Sequence, residues 1–113
     1  MHEFGVAQQM VQVAFRQAEA NEARRIRQFT IEMSEIVDES EDALRFHLET
    51  LTRGTIAEGA QFEIQRIPLQ VTCLNCLHEF AQAYPGEPCP ECHSVRLAQK
   101  PQDEFKLASI EIE

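Results

Sequence analysis

Residues 71–99 read VTCLNCLHEFAQAYPGEPCPECHSVRLAQ and contain all four cysteines of the chain and three of its five prolines. The cysteines form two Cys-x-x-Cys pairs, Cys73–Cys76 and Cys89–Cys92, with twelve residues between them. Each pair presents two thiolates from one tight turn, so two facing turns complete a tetrahedron of sulfur ligands. A segment of this size buries too little apolar surface to offset its ordering entropy. We therefore predict that a metal ion holds it in shape.

Zinc is the metal expected for four thiolates, and a rubredoxin-type iron site is the alternative. Because four protein ligands leave no open coordination position, the zinc should be structural rather than hydrolytic. His78 lies two residues after Cys76, and His93 directly follows Cys92. Both histidines are candidate hydrogen-bonding neighbours of the zinc ligands or replacement ligands, and the alternative is that they are exposed loop residues.

The sequence before the cysteines predicts two amphipathic helices. Residues 4–20 repeat apolar side chains at three- and four-residue spacing, which is typical of one buried helix face. A second helix is predicted within residues 37–54, where Asp38 or Ser40 can cap the first turn and Gly54 can end the last one. His47 lies on the inward face of this helix, and we interpret it as a core histidine rather than a ligand.

Three strands are predicted around these helices, at residues 25–33, 61–67 and in the closing EFKLASIEIE stretch. A phase shift between Leu107 and Ala108 in the last strand predicts a β-bulge. The fold class is therefore α+β, with two helices on a small three-stranded sheet and an inserted zinc-ribbon-like lobe. We place the helix-and-sheet domain at residues 1–70 plus 103–113 and the zinc-binding lobe at residues 71–102.

The N-terminal tripeptide Met1-His2-Glu3 has a specific metal chemistry. The large His2 side chain hinders removal of the initiator methionine, so Met1 should carry the free amine. That amine, the His2 amide nitrogen and the His2 imidazole close two chelate rings in one plane. Three coplanar nitrogens favour Ni²⁺ or Cu²⁺ over Zn²⁺, and water, a side chain or a partner's ligand can fill the fourth position.

The amino-acid composition indicates which classes of partner the protein can bind and in which compartment it works. The chain has 10 basic and 19 acidic residues and a formal net charge of −9, which opposes binding to nucleic acid or anionic lipid. No apolar run is long enough to cross a membrane, and the first residues lack a secretion signal. We therefore expect a cytoplasmic protein, in whose reducing surroundings cysteines bind metals rather than form disulfides.

Together these features resemble the HypA/HybF family of hydrogenase nickel-insertion proteins. The resemblance rests on the initial MHE, on LTRGTIAEGAQFEI at residues 51–64, on the two Cys-x-x-Cys pairs and on the final IEIE. It implies a nickel site at Met1, His2 and Glu3, and a zinc site at Cys73, Cys76, Cys89 and Cys92.

The resemblance also implies a role and partners. The protein would be a nickel metallochaperone that carries Ni(II) as cargo and holds structural Zn(II). It would act with a nickel-handling GTPase on the precursor of the nickel–iron hydrogenase large subunit, and a homodimer is one possible assembly. We expect no enzymatic activity, because neither a catalytic triad nor a phosphate loop is present. The alternative is a zinc-ribbon interaction module without specific nickel binding.

Overall fold

The computed structural model describes residues 3–37 and 40–113, in which the chain forms two helices and six strands. In chain order these elements are α1 (Glu3–Ala20), β1 (Ile26–Ser34), α2 (Glu41–Thr52), β2 (Gln61–Ile67), β3 (Gln70–Cys73), β4 (Glu79–Ala81), β5 (Leu97–Gln99) and β6 (Phe105–Ile112). The strands form two sheets, with the orders β2-β1-β6 and β4-β3-β5. The predicted α+β fold is confirmed. Neither described helix is long and apolar enough to cross a membrane.

Strand β1 is the centre of the larger sheet. It pairs in parallel with β2, so that Phe29 lies beside Phe62, and α2 belongs to the crossover between the two strands. It pairs antiparallel with β6, where Thr30 faces Ser109 and the next residue of β1 faces Leu107. Ala108 is therefore the extra residue of a β-bulge, which confirms the predicted phase shift.

The core of this domain lies between the helices and one face of the sheet. The predicted apolar stripe of α1 is at most 5% exposed at Ala7, Met10, Val11, Ala14 and Ala18. Phe29 and Ile31 of β1 and Leu44 and Leu48 of α2 are fully buried in the same cluster. The apolar periodicity of the sequence thus identified the packing face of each element.

The ends of α2 have ordinary capping chemistry. The Ser40 hydroxyl oxygen accepts hydrogen bonds from the amides of Asp42 and Ala43 at 3.1 and 3.3 Å. The other predicted cap, Asp38, lies outside the described residues. Gly54 follows the helix with φ of +78°, a conformation that favours glycine.

The predicted core histidine, His47, is half-buried between α1 and α2. Its ring lies edge-on against Phe4, with 5.3 Å between the ring centroids, and also contacts Phe46. These aromatic contacts are those of a packing residue.

The smaller sheet belongs to the cysteine-containing segment, and its strands were not predicted from the sequence. Strands β4 and β5 pair with β3 on either side, and both pairings are antiparallel. Val71 of β3 is 2% exposed and lies at the centre of this sheet. The two sheets share no strand, which gives the molecule an elongated shape of 53 × 25 × 19 Å.

Candidate metal centre

The four cysteines converge on one point next to the smaller sheet. Their sulfur atoms all lie within 4.8 Å of one another. The Sγ atoms of Cys73 and Cys92 are 3.5 Å apart, and those of Cys76 and Cys89 are 3.6 Å apart. Among residues 3–37 and 40–113 this is the one cluster of three or more metal-ligating side chains.

Each Cys-x-x-Cys turn is called a knuckle here, and the first one, Cys73–Cys76, begins where β3 ends. The Cys73 amide donates to the carbonyl of His78, and the Leu77 amide donates back to the carbonyl of Cys73, both at 2.8 Å. Leu77 has φ of +65°, a left-handed conformation that is uncommon for a branched side chain. These bonds fold the chain into a tight turn that directs both thiols to the same side.

The second knuckle repeats this geometry. The Cys89 amide donates to the carbonyl of Ser94 at 3.0 Å, and the His93 amide donates to the carbonyl of Cys89 at 2.8 Å. His93 has φ of +65°, as Leu77 has in the first knuckle. The two Cys-x-x-Cys segments are therefore two copies of one local structure that face each other across the sulfur cluster.

Main-chain amides donate to the sulfur atoms in both knuckles. The amides of Asn75 and Cys76 point at Cys73 Sγ from 3.4 and 3.5 Å, and the Glu91 amide points at Cys89 Sγ from 3.4 Å. The Asn75 side chain adds a bond between the knuckles, from Nδ2 to Cys92 Sγ at 3.5 Å. Such donors stabilise thiolate charge.

The thiols differ in how readily they ionise. The Cys76 amide, with smaller help from the Asn75 amide, outweighs desolvation and lowers the pKa of Cys73 to about 6. The Asn75 side chain, followed by the Ser94 amide, lowers the pKa of Cys92. At Cys76 the His78 amide acts in the same direction, but desolvation and the neighbouring thiols together raise the pKa to about 12. A bound cation would favour the fully ionised form of the cluster, because its charge compensates that of the neighbouring thiolates.

This donor set fits a tetrahedral metal ion. A zinc–thiolate bond of about 2.3 Å gives about 3.8 Å between the sulfurs of a regular tetrahedron. The two short sulfur–sulfur distances, 3.5 and 3.6 Å, are close to that value. With four protein ligands such a centre has no coordination position for a substrate.

Among the described residues, His78 and His93 are not part of the cluster. The His78 ring stacks on Phe80, with 5.9 Å between centroids and 9° between planes. His93 occupies the left-handed position of the second knuckle. Of the predicted nickel ligands, Met1 and His2 lie outside the described residues, as does the side chain of Glu3. The sequence did not single out Asn75, because its position inside a knuckle carries no signal for a contact across the cluster.

Comparison with known proteins identifies the family. Residues 1–112 match the family model described as "Hydrogenase/urease nickel incorporation, metallochaperone, hypA". The chain is 35% identical to hydrogenase maturation factor HypA of Azotobacter vinelandii over 113 residues, and each chain is covered completely. It is 32% identical to hydrogenase maturation factor HybF of Escherichia coli O157:H7, again over the full length of both.

A solved structure shares the fold. The solution structure of the Ni metallochaperone HypA from Helicobacter pylori has a TM-score of 0.69 and 21% identity, covering 99% of this chain and 97% of that one. Fold, cysteine cluster and full-length sequence similarity agree, and the chain belongs to the HypA family of nickel-incorporation metallochaperones.

Proposed function

We propose that this protein is a nickel carrier that binds Ni(II) at Met1, His2 and Glu3 and holds Zn(II) at Cys73, Cys76, Cys89 and Cys92. The observation that carries the nickel assignment is the family match, which begins at residue 1 and so includes the tripeptide. The amine, amide and imidazole nitrogens of this tripeptide suit the square-planar preference of Ni(II). Zinc, which prefers thiolates in a tetrahedron, is assigned to the cysteine cluster.

The two metals are assigned to separate units. Nickel belongs to the helix-and-sheet domain at residues 1–70 plus 103–113, and zinc belongs to the lobe at residues 71–102. The existence of two sheets without a shared strand supports this division. The zinc is structural, and the nickel is cargo that must leave.

The recipient is the precursor of a nickel–iron hydrogenase large subunit. The family description names both hydrogenase and urease. The relatives from Azotobacter vinelandii and Escherichia coli are both named hydrogenase maturation factors, which favours the hydrogenase. A nickel-handling GTPase is the expected partner, transfer takes place in the cytoplasm, and the protein itself catalyses no reaction.

Nickel titration of the full-length protein with an unblocked N-terminus tests the nickel site. We expect one nickel ion per chain, and we expect His2→Ala to abolish specific binding without changing the zinc content. A Gly-Ser extension before Met1 converts the amine into an amide and should weaken binding as strongly. Unchanged nickel affinity in both variants would overturn the N-terminal site.

The second candidate is a zinc-ribbon interaction module whose initial MHE has no nickel-binding role. It is favoured by the exposed apolar side chains of Leu74, Leu77 and Val95 in and beside the knuckles, which are 51%, 73% and 77% exposed. Equilibrium dialysis with Ni²⁺ separates the two candidates, because the module would bind nickel no better than the His2→Ala variant does. A red colour in the purified protein would instead identify iron in the cysteine cluster.

A further inference from the structure

Asn75 contacts sulfur atoms of both knuckles. Its main-chain amide donates to Cys73 Sγ at 3.4 Å, within its own knuckle. Its side-chain Nδ2 donates to Cys92 Sγ at 3.5 Å, in the opposite knuckle. Asn75 therefore adds a side-chain link between two parts of the chain that the cysteine side chains, β3–β5 pairing and a bond from the Leu74 amide to the Arg96 carbonyl also join.

The second knuckle has no counterpart to this link. Glu91 occupies the position equivalent to Asn75, and its amide donates to Cys89 Sγ at 3.4 Å in the same way. Within the described part of the chain, however, the Glu91 side chain makes no hydrogen bond to a sulfur atom. The two knuckles therefore share the main-chain bond to the first cysteine sulfur. The bond from a side-chain amide to the opposite knuckle is specific to Asn75.

Packing and backbone geometry do not account for asparagine at this position. The Asn75 side chain is exposed to solvent. Its φ lies outside the left-handed region, in contrast to Leu77 and His93. The bond to Cys92 is the specific interaction that the side chain makes.

We propose that Asn75 is a positioning residue of the zinc centre, whose carboxamide stabilises the Cys92 thiolate and slows zinc release. An N–H donor withdraws electron density from a thiolate, which makes the sulfur less basic and less nucleophilic while it stays bound to the metal. Four thiolates around one Zn²⁺ leave two uncompensated negative charges, which a donor from outside the ligand set helps to stabilise. This inference rests on the zinc site proposed above.

Zinc-loaded full-length protein tests it, with transfer of zinc to a chromophoric chelator as the readout. We expect Asn75→Leu and Asn75→Ala to release zinc about three- to tenfold faster, the change expected for loss of one solvent-exposed hydrogen bond of ordinary strength. Glu91→Leu is the matched control at the equivalent position, and its release rate should stay within about twofold of the original protein. Asn75→Gln keeps an amide donor and should restore most of the slow release.

A cobalt spectrum distinguishes an electronic effect on the sulfur from a general loosening of the lobe. In the cobalt-substituted protein the sulfur-to-metal charge-transfer band should move to lower energy in Asn75→Leu and remain in place in Glu91→Leu. Equal release rates and unshifted spectra in zinc-binding Asn75 variants would overturn the inference alone. Failure of the unsubstituted protein to retain zinc would overturn the proposed zinc site together with it.

Discussion

The side-chain amide of Gln102 pairs with the main chain of Gln70 as a neighbouring β-strand would. Gln102 Oε1 accepts from the Gln70 amide, and Gln102 Nε2 donates to the Gln70 carbonyl, both at 3.0 Å. Nε2 also donates to the carbonyl of Lys100 at 2.7 Å. Gln70 is where the chain enters the smaller sheet, and Gln102 lies between that sheet and β6. The pair therefore ties together the two chain segments that connect the domain to the lobe.

Gln102→Ala should loosen this connection without unfolding either part. Loss of the pair exposes the Gln70 amide, and we expect its hydrogen exchange to accelerate markedly while the free energy of unfolding falls by about 1 kcal/mol. Exchange measured residue by residue by NMR checks this. Gln99→Ala, an exposed glutamine at the end of β5, is the control and should leave the Gln70 amide protected. Unchanged protection in the Gln102 variant would show that the pair does not hold the connection.

Two phenylalanines provide a matched test of the core. Phe29 is fully buried and its ring lies 5.2 Å from that of Phe62, whereas Phe46 on α2 is 63% exposed. Phe29→Ala should lower the free energy of unfolding of the helix-and-sheet domain by about 3–5 kcal/mol, because it leaves a cavity in the core. Phe46→Ala should change it by less than about 1 kcal/mol. Denaturant unfolding of the zinc-loaded protein measures both, and similar losses would contradict the described packing.

Removal of the metal should unfold the lobe at residues 71–102 while the helix-and-sheet domain stays folded. Structural zinc contributes about 10–16 kcal/mol in small zinc peptides, and the lobe has little apolar packing with which to replace it. We expect Cys73→Ser, Cys89→Ser or chelation to abolish amide protection in β3, β4 and β5 while β1 and β2 remain protected. Loss of protection throughout the chain would mean that the two parts do not fold separately.

A test of His93 requires a substitution that its left-handed backbone conformation tolerates. Alanine at φ of +65° would strain the turn, whereas glycine adopts this conformation readily and removes only the imidazole. If His93 replaces a thiolate that mild acid has protonated, X-ray absorption at the zinc edge should detect a nitrogen ligand that is missing in His93→Gly. The same comparison with His78→Ala tests the other histidine. Four sulfur ligands at every pH would leave both imidazoles outside the coordination sphere.

The sequence predicted the helix-and-sheet domain well because its elements are long and half-buried. In α1 and β1 the apolar side chains recur with the period of the element, since one face packs and the other is solvated. Even the bulge at Ala108 was visible as a break in alternation. The parallel pairing of β1 with β2 was not visible, because it depends on the path of the crossover and not on either strand's pattern.

The sequence predicted that the four cysteines converge, but it did not predict the strands around them. Strands β4 and β5 have three residues each, too few to establish an alternation. The convergence of the four cysteines could be predicted because the spacing within and between two Cys-x-x-Cys pairs is typical of a tetrahedral metal site. The Asn75 contact with Cys92 escaped prediction because it joins residues that only the folded knuckles bring together.

Strand β6 follows the cysteine-containing segment in the chain but belongs to the larger sheet, whose other strands precede that segment. The strand at residues 105–112 completes a sheet begun at residues 26–34, and the whole lobe lies between β2 and β6. During synthesis β6 emerges after the lobe, so the sheet stays open at one edge until the lobe has been made. An unfolded lobe would turn residues 68–104 into a long flexible loop, whereas the zinc-loaded lobe leaves only its short flanks free. Because a shorter free loop costs less entropy to close, the folded lobe favours docking of β6 onto the sheet by about 1 kcal/mol. A metal ion bound at the four cysteines would thus promote closure of the larger sheet during folding.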